Sequence, residues 1–167
     1  CNGIYAAMWA TALVSLACVA ATVHEAVEQS LDYVPARSRL AEALGWVHEL
    51  YRTGCSWEAA VEEIRARFGQ YSWVHAINNA CLITAGLLWG EGDFTTTVGL
   101  TVQGAWDTDS NGATAGSVVG TVLGAAKLPH HFIEPLQDRT RSVIFGYDNS
   151  RISELARRTI AIAQGAR

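Results

Sequence analysis

The residues of this chain best suited to chemistry are in Asp107-Thr108-Asp109-Ser110-Asn111-Gly112. Two carboxylates, two hydroxyls and an amide fall within that one short stretch. Ionised carboxylates this close repel one another unless a cation sits between them, and oxygen donors of this kind suit a hard divalent ion. Behind them come Gly112, Gly116, Gly120 and Gly124, a glycine at every fourth position of an otherwise small and apolar segment. At helical spacing these glycines lie close to one face and let a neighbouring backbone approach. An acidic turn that opens such a helix would hold ligand atoms still. The same residues also read as an N-cap and turn and nothing more, because Asp, Ser and Asn bond the nearby backbone. A calcium-loop reading, D-x-D-x-N-G, fails at its last ligand position, where Val118 stands in place of a bidentate glutamate. The glycine ladder is equally compatible with a packing face between membrane helices.

The elements around this turn read as helix after helix. Thr22 caps a helix over 23–31, and Pro35 breaks the chain. From Ser38 to Arg52, Leu40, Leu44, Val47 and Leu50 recur at helical spacing, with Gly54 as the stop. Ser56 caps a segment whose stripe is Trp57, Ala60, Val61, Ile64 and Phe68. Gly69 closes it, and Glu63 and Arg67 are spaced for an i,i+4 ion pair. Ser72 opens a long apolar helix to Trp89, and Asp93 caps 94–104. After the acidic turn and the glycine helix come a Leu128-Pro129 stop, a short helix around 131–137 and a last helix over 149–164. Val and Thr cluster at 95–102, but without alternation or a hairpin partner the segment reads as helix. With no internal repeat, linker or boundary, the expectation is one all-α domain over 1–167, a compact multi-helix bundle.

A chain of 167 residues buries about two-thirds of its unfolded surface. Half its residues are hydrophobic and only 17% are charged, so some of the surface is free to be an interface. A net charge of −4 and a pI near 5.7 argue against a nucleic-acid footprint. Arg37/Arg39, Arg139/Arg141 and Arg157/Arg158 are interleaved with acids and read as solvated faces. Cys1, Cys18, Cys55 and Cys81 have neither zinc nor disulfide spacing, which points to a reducing, cytoplasmic compartment. Cys18 and Cys81 read as small buried hydrophobes. An amino-terminal nucleophile or a lipid anchor at Cys1 needs processing that the sequence does not show. Residues 1–23, 71–90 and 110–126 carry no Asp, Glu, Lys or Arg, so a polytopic membrane protein is an alternative. The first run is mostly Ala, Thr and Ser, the second contains Asn78-Asn79, and no polybasic flank sets an orientation. Helices buried on most sides of a bundle, with no membrane, are the expectation.

Other motifs fall short. Gly90-x-Gly92 lacks the rest of a dinucleotide fingerprint, no G-K-[ST] follows the glycine ladder, and Ser117 is not in a G-x-S-x-G elbow. His130-His131 reads as surface. His75 and Asn78 lie one helical turn apart and, with Asn79, line either a cleft or a polar seam inside the bundle. Trp106 either stacks on a nucleobase or fills the core.

The run GAWDTDSNGATAGSVVGTVLGA at 104–125, followed by Leu128-Pro129, resembles the ADP-ribosylglycohydrolase family, which includes the bacterial enzyme that removes ADP-ribose from dinitrogenase reductase. In that family an Asp-x-Asp-Ser/Thr motif begins a glycine- and alanine-rich helix and binds a pair of magnesium ions that grip the ribose. The resemblance implies Asp107, Asp109 and Ser110 as metal ligands and two Mg2+ in the complete site. Asn2 and Gly3, in Asn2-Gly3-Ile4-Tyr5, look like a segment near the substrate cleft. SWVHAINNA at 72–80, with Ile77 and Asn78, looks like the helix on the nucleotide side, and 138–159 like the closing section. The implied activity is magnesium-dependent hydrolysis at C1″ of the distal ribose, on an ADP-ribosylated substrate or an ADP-ribose-like nucleotide. One departure stands out. Family members are about twice this length, and their early half supplies a Thr-Asp-Asp-type ligand set and an acidic residue near the scissile bond. Here the only adjacent carboxylates are Glu62-Glu63, in a charged amphipathic helix. The expectation is therefore an incomplete bundle: the C-terminal half, inactive alone, with the N-terminal half missing or supplied as a second chain. A non-catalytic helical nucleotide-binding or interaction module is the alternative.

Overall fold

Helix starts in this chain are set by its capping side chains. The computed structural model describes residues 2–165, so both readings of Cys1 lie outside the described residues. Thr22 Oγ1 accepts from the amide of Glu25 at 3.1 Å, Ser38 Oγ from Ala41 at 3.1 Å, Ser56 Oγ from Ala59 at 3.3 Å and Asp93 Oδ1 from Thr96 at 2.7 Å. Each bond satisfies one of the amides that a helix N-terminus leaves without a partner. The helices are α1 (Asn2–Ala17), α2 (Val23–Ser30), α3 (Arg39–Arg52), α4 (Trp57–Phe68), α5 (Ala76–Trp89), α6 (Phe94–Gln103), α7 (Thr108–Leu123), α8 (His130–Ile133) and α9 (Ile152–Ala163). The architecture is all-α. The segment 95–102 is helical, and among the described residues the only sheet is a two-residue antiparallel pair, β1 (Arg139–Thr140) with β2 (Ser150–Arg151).

The chain forms two compact units, 1–127 and 128–167. In the first, α5 is the axis: it packs against α1, α2, α3, α4, α6 and α7, and residues 77–88 are all buried. Gly86 and Gly90 let α6 come close, since a Cβ on either would collide with the side chain of Thr101 or Thr97. On α7, Gly112 and Gly116 face α6. A Cβ on Gly112 would lie 3.0 Å from Val102 Cγ2, and one on Gly116 3.5 Å from Val98 Cγ2. No helix among the described residues is long and apolar enough to cross a membrane.

Four details of this unit differ from the sequence reading. α5 starts at Ala76 rather than near Ser72, because Ser72 O accepts from His75 N at 2.9 Å in a turn and the His75 ring then caps the helix, Nδ1 accepting from Ile77 N at 3.2 Å. Arg67 pairs with Glu42 on α3 at 2.8 Å, not with Glu63, because its guanidinium also lies 4.8 Å above the Trp46 ring. Cys81 is fully buried, but Cys18 is exposed at the end of α1. α1 itself buries only Trp9, Ala12, Leu13 and Ala17. Its other face leaves Ile4 64% and Met8 45% exposed beside Val19 and Tyr33, along a groove of about 820 Å³.

In the second unit, α9 starts at Ile152 rather than at 149, because Ser150 and Arg151 are held in the strand pair. Asp138 ties its helix end to the preceding turn, accepting from the amide and hydroxyl of Ser153 at 2.8 and 2.6 Å. Arg141 and Asp148 pair across the loop at 2.9 Å.

Candidate functional site

The chain reverses between α6 and α7 through Ala105 and Trp106, consecutive non-glycine residues with φ of 69° and 58°. A left-handed conformation costs an ordinary residue roughly 1 kcal/mol, so this turn is held by its surroundings. Asn79 on α5 does much of the holding. Its Oδ1 accepts from the amide of Asp107 at 3.2 Å and from Asn111 Nδ2 at 2.7 Å. Its Nδ2 donates to the carbonyls of Trp73 and His75 at 2.8 and 2.9 Å. Every donor and acceptor of that amide is used.

Asp107 sits at the N-cap of α7, but its side chain makes no bond to the helix amides, unlike the caps of α2, α3, α4 and α6. A hydrogen-bonded contact with the Asp107 carboxyl, followed by the amides of Ser110 and Asp109, holds the Asp109 carboxyl below the usual carboxylate range. Asp107, Ser110, Asn111 and Thr114 form one wall of a cavity of about 210 Å³. Ala6, Trp9 and Ala10 of α1 form a second wall, and His75, Asn79 and Ile83 a third. Trp9 is fixed there by donating from its indole nitrogen to Ser30 Oγ at 3.0 Å. The His75 ring is stacked on Tyr71, centroids 4.1 Å apart and planes 10° from parallel.

The structure thus brings together Asp107 and Ser110, with Asp109 exposed beside them and touching Asp107. Asn2 and Gly3 lie in the first turn of α1, one turn before Ala6, and do not line the cavity. Ile77 faces a different depression, beside Arg39 and Arg67. Asn78 is fully buried and donates to Ser72 O at 3.2 Å, with its Oδ1 unpartnered. Asn79, rather than Asn78, is the asparagine at the acidic turn. Its sequence signal was an amide in an apolar helix, which has to find partners when buried. Trp106 packs partly buried against the core, and His130 and His131 are exposed.

The donors at the turn are hard oxygens: two carboxyls in contact, a hydroxyl and a backbone corner. Hard oxygen donors of this kind fit a divalent cation. Among the described residues, no group of three or more His, Cys, Asp or Glu is placed to hold a metal.

A family model for ADP-ribosylglycohydrolase matches residues 2–167. The chain belongs to the ADP-ribosylglycohydrolase family. No curated protein and no solved structure matches it significantly.

Proposed function

We propose that this chain is the metal-binding part of a magnesium-dependent ADP-ribosyl glycohydrolase of the cytoplasm, acting on ADP-ribosylated substrates or ADP-ribose-like nucleotides. The observation that carries the reading is Asp107: it occupies a cap position without capping, and its carboxyl meets that of Asp109 instead. Asp107 and Asp109 would be direct ligands and Ser110 a neutral one, within a pair of ions. When bound, magnesium supplies positive charge that fixes vicinal ribose hydroxyls and offsets charge as the glycosidic bond breaks. The chain's own residues position and enclose. Asn79 holds the Asp107 amide, and Trp9, Ala6 and Ala10 provide an apolar wall against water. Asn2 and Gly3 open the helix that forms this wall, and Ile77 and Asn78 open α5, which supports the substrate's side of the same region.

The remaining ligands and the acid near the scissile bond are the contribution of a further polypeptide half. The uncovered apolar face of α1 supports this reading, and little or no turnover is expected of the chain alone. The test is calorimetric titration with magnesium and ADP-ribose, for wild type and Asp109→Ala. Loss of the magnesium heat in the variant is the expected result. Nucleotide binding that ignores the substitution would favour a non-catalytic binding or interaction module.

A further inference from the structure

Beside the acidic-turn cavity is a second depression of about 200 Å³, lined by Arg39 and Glu42 of α3, Arg67 and Phe68 of α4, Gln70 and Tyr71. Whole small-molecule ligands occupy cavities of about 300–1,000 Å³, so this one fits a single group. Its charge is set by two guanidiniums against one carboxylate, a local positive excess on a chain whose net charge is −4. Arg67 is held in place: it lies 4.8 Å above the Trp46 ring and 5.7 Å from the Phe68 ring, and gives one hydrogen bond to Glu42 at 2.8 Å. A guanidinium has five N–H donors in a fixed fork, so most of its donors remain for another acceptor. The Arg39 side chain makes no ion pair or hydrogen bond among the described residues. It lies in the first turn of α3, where the helix dipole adds to the same potential.

We propose that the Arg39–Arg67 depression is a binding site for a phosphate-class oxyanion. Guanidinium forks match tetrahedral oxyanions bidentately, and a preordered Arg67 loses little freedom on binding. The Tyr71–His75 ring stack is the wall between the two cavities, Tyr71 lining one and His75 the other. The bound group is thus either free phosphate or the phosphate of a ribosyl nucleotide whose sugar reaches the acidic turn. The site itself stands on its own charge and does not depend on the metal reading.

The experiment is an NMR titration of the full chain with inorganic phosphate at fixed ionic strength, followed at the Trp46 indole N–H. Saturable binding is expected, about tenfold weaker in Arg39→Gln, as loss of one charge-assisted contact implies. Arg39 is exposed, so the variant is expected to fold. Glu42→Gln removes the competing carboxylate and is expected to tighten binding, whereas a purely structural Arg67–Glu42 pair predicts no gain. No saturable binding, wild-type affinity in Arg39→Gln, or no tightening in Glu42→Gln would each overturn the proposal. Repeating the titration with ADP-ribose identifies the source. A matching loss in Arg39→Gln assigns the site to the nucleotide's phosphates, and an unchanged affinity assigns it to free phosphate. Asp109→Ala is expected to leave the inorganic phosphate titration intact, which separates this proposal from the metal site.

Discussion

Four hydrogen bonds converge on the Asn79 amide, two given and two received. Asn79→Ala strands the Trp73 carbonyl, the Asp107 amide and Asn111 at once, and buried groups without partners are costly. A loss of about 2–4 kcal/mol is expected, read from urea unfolding midpoints. That the acidic turn opens the glycine-rich helix α7 was legible, because Asp, Ser and Asn there favour a turn before a run of small residues. Asn79 was not legible as the partner, since two adjacent asparagines face different sides of a helix and the phase depends on where His75 caps it. His48 permits a prediction in pH. Burial lowers its pKa below 6.5, with Glu28 opposing and Arg52 and His24 assisting. The unfolded chain then binds more protons than the folded one as pH falls below 6.5. Stability is therefore expected to decline through that window towards the folded pKa and to be flat above it. His48→Gln is expected to remove this part of the slope, measured as unfolding midpoints from about pH 5 to about pH 8.

Helix α5 meets α6 at glycines, and the two glycines of a useful comparison behave oppositely. Gly86→Ala drives a methyl group into Thr101 and is expected to destabilise by about 1–3 kcal/mol. Gly45→Ala in α3 meets nothing within 4 Å and is expected to stabilise by about 0.5–1 kcal/mol, through lower backbone freedom in the unfolded chain. Thermal unfolding of both variants checks the pair, and equal effects would contradict the close approach. The starts of α2, α3, α4 and α6 were legible because a Thr, Ser or Asp at each makes a local bond that needs no tertiary partner. Three features were not: the start of α5, the partner of Arg67 and the open face of α1. Each is decided by what packs beside the element, and a one-dimensional pattern of apolar residues carries no such information.

On the scale of the whole molecule, a lean charged surface was the one composition signal that the fold explains. Ile4 and Met8 of α1 flank an open groove, and Val143, Ile144, Phe145, Ile160 and Ile162 are exposed in the second unit. Magnesium takes about six oxygen ligands, and the acidic turn offers only a few, so the proposed site needs further ligands. The isolated chain is expected to show no ADP-ribosyl hydrolysis above background with magnesium present, assayed by release of ADP-ribose, and robust turnover would contradict the incomplete-site account. The most direct measurement concerns the metal itself. Manganese(II), a paramagnetic stand-in for magnesium, broadens amide signals close to where it binds. Selective broadening at Asp109, Ser110 and Ala6, reversed by excess magnesium and absent in Asp109→Ala, is the predicted result. Broadening centred elsewhere, or unchanged by Asp109→Ala, would contradict a divalent ion at this corner.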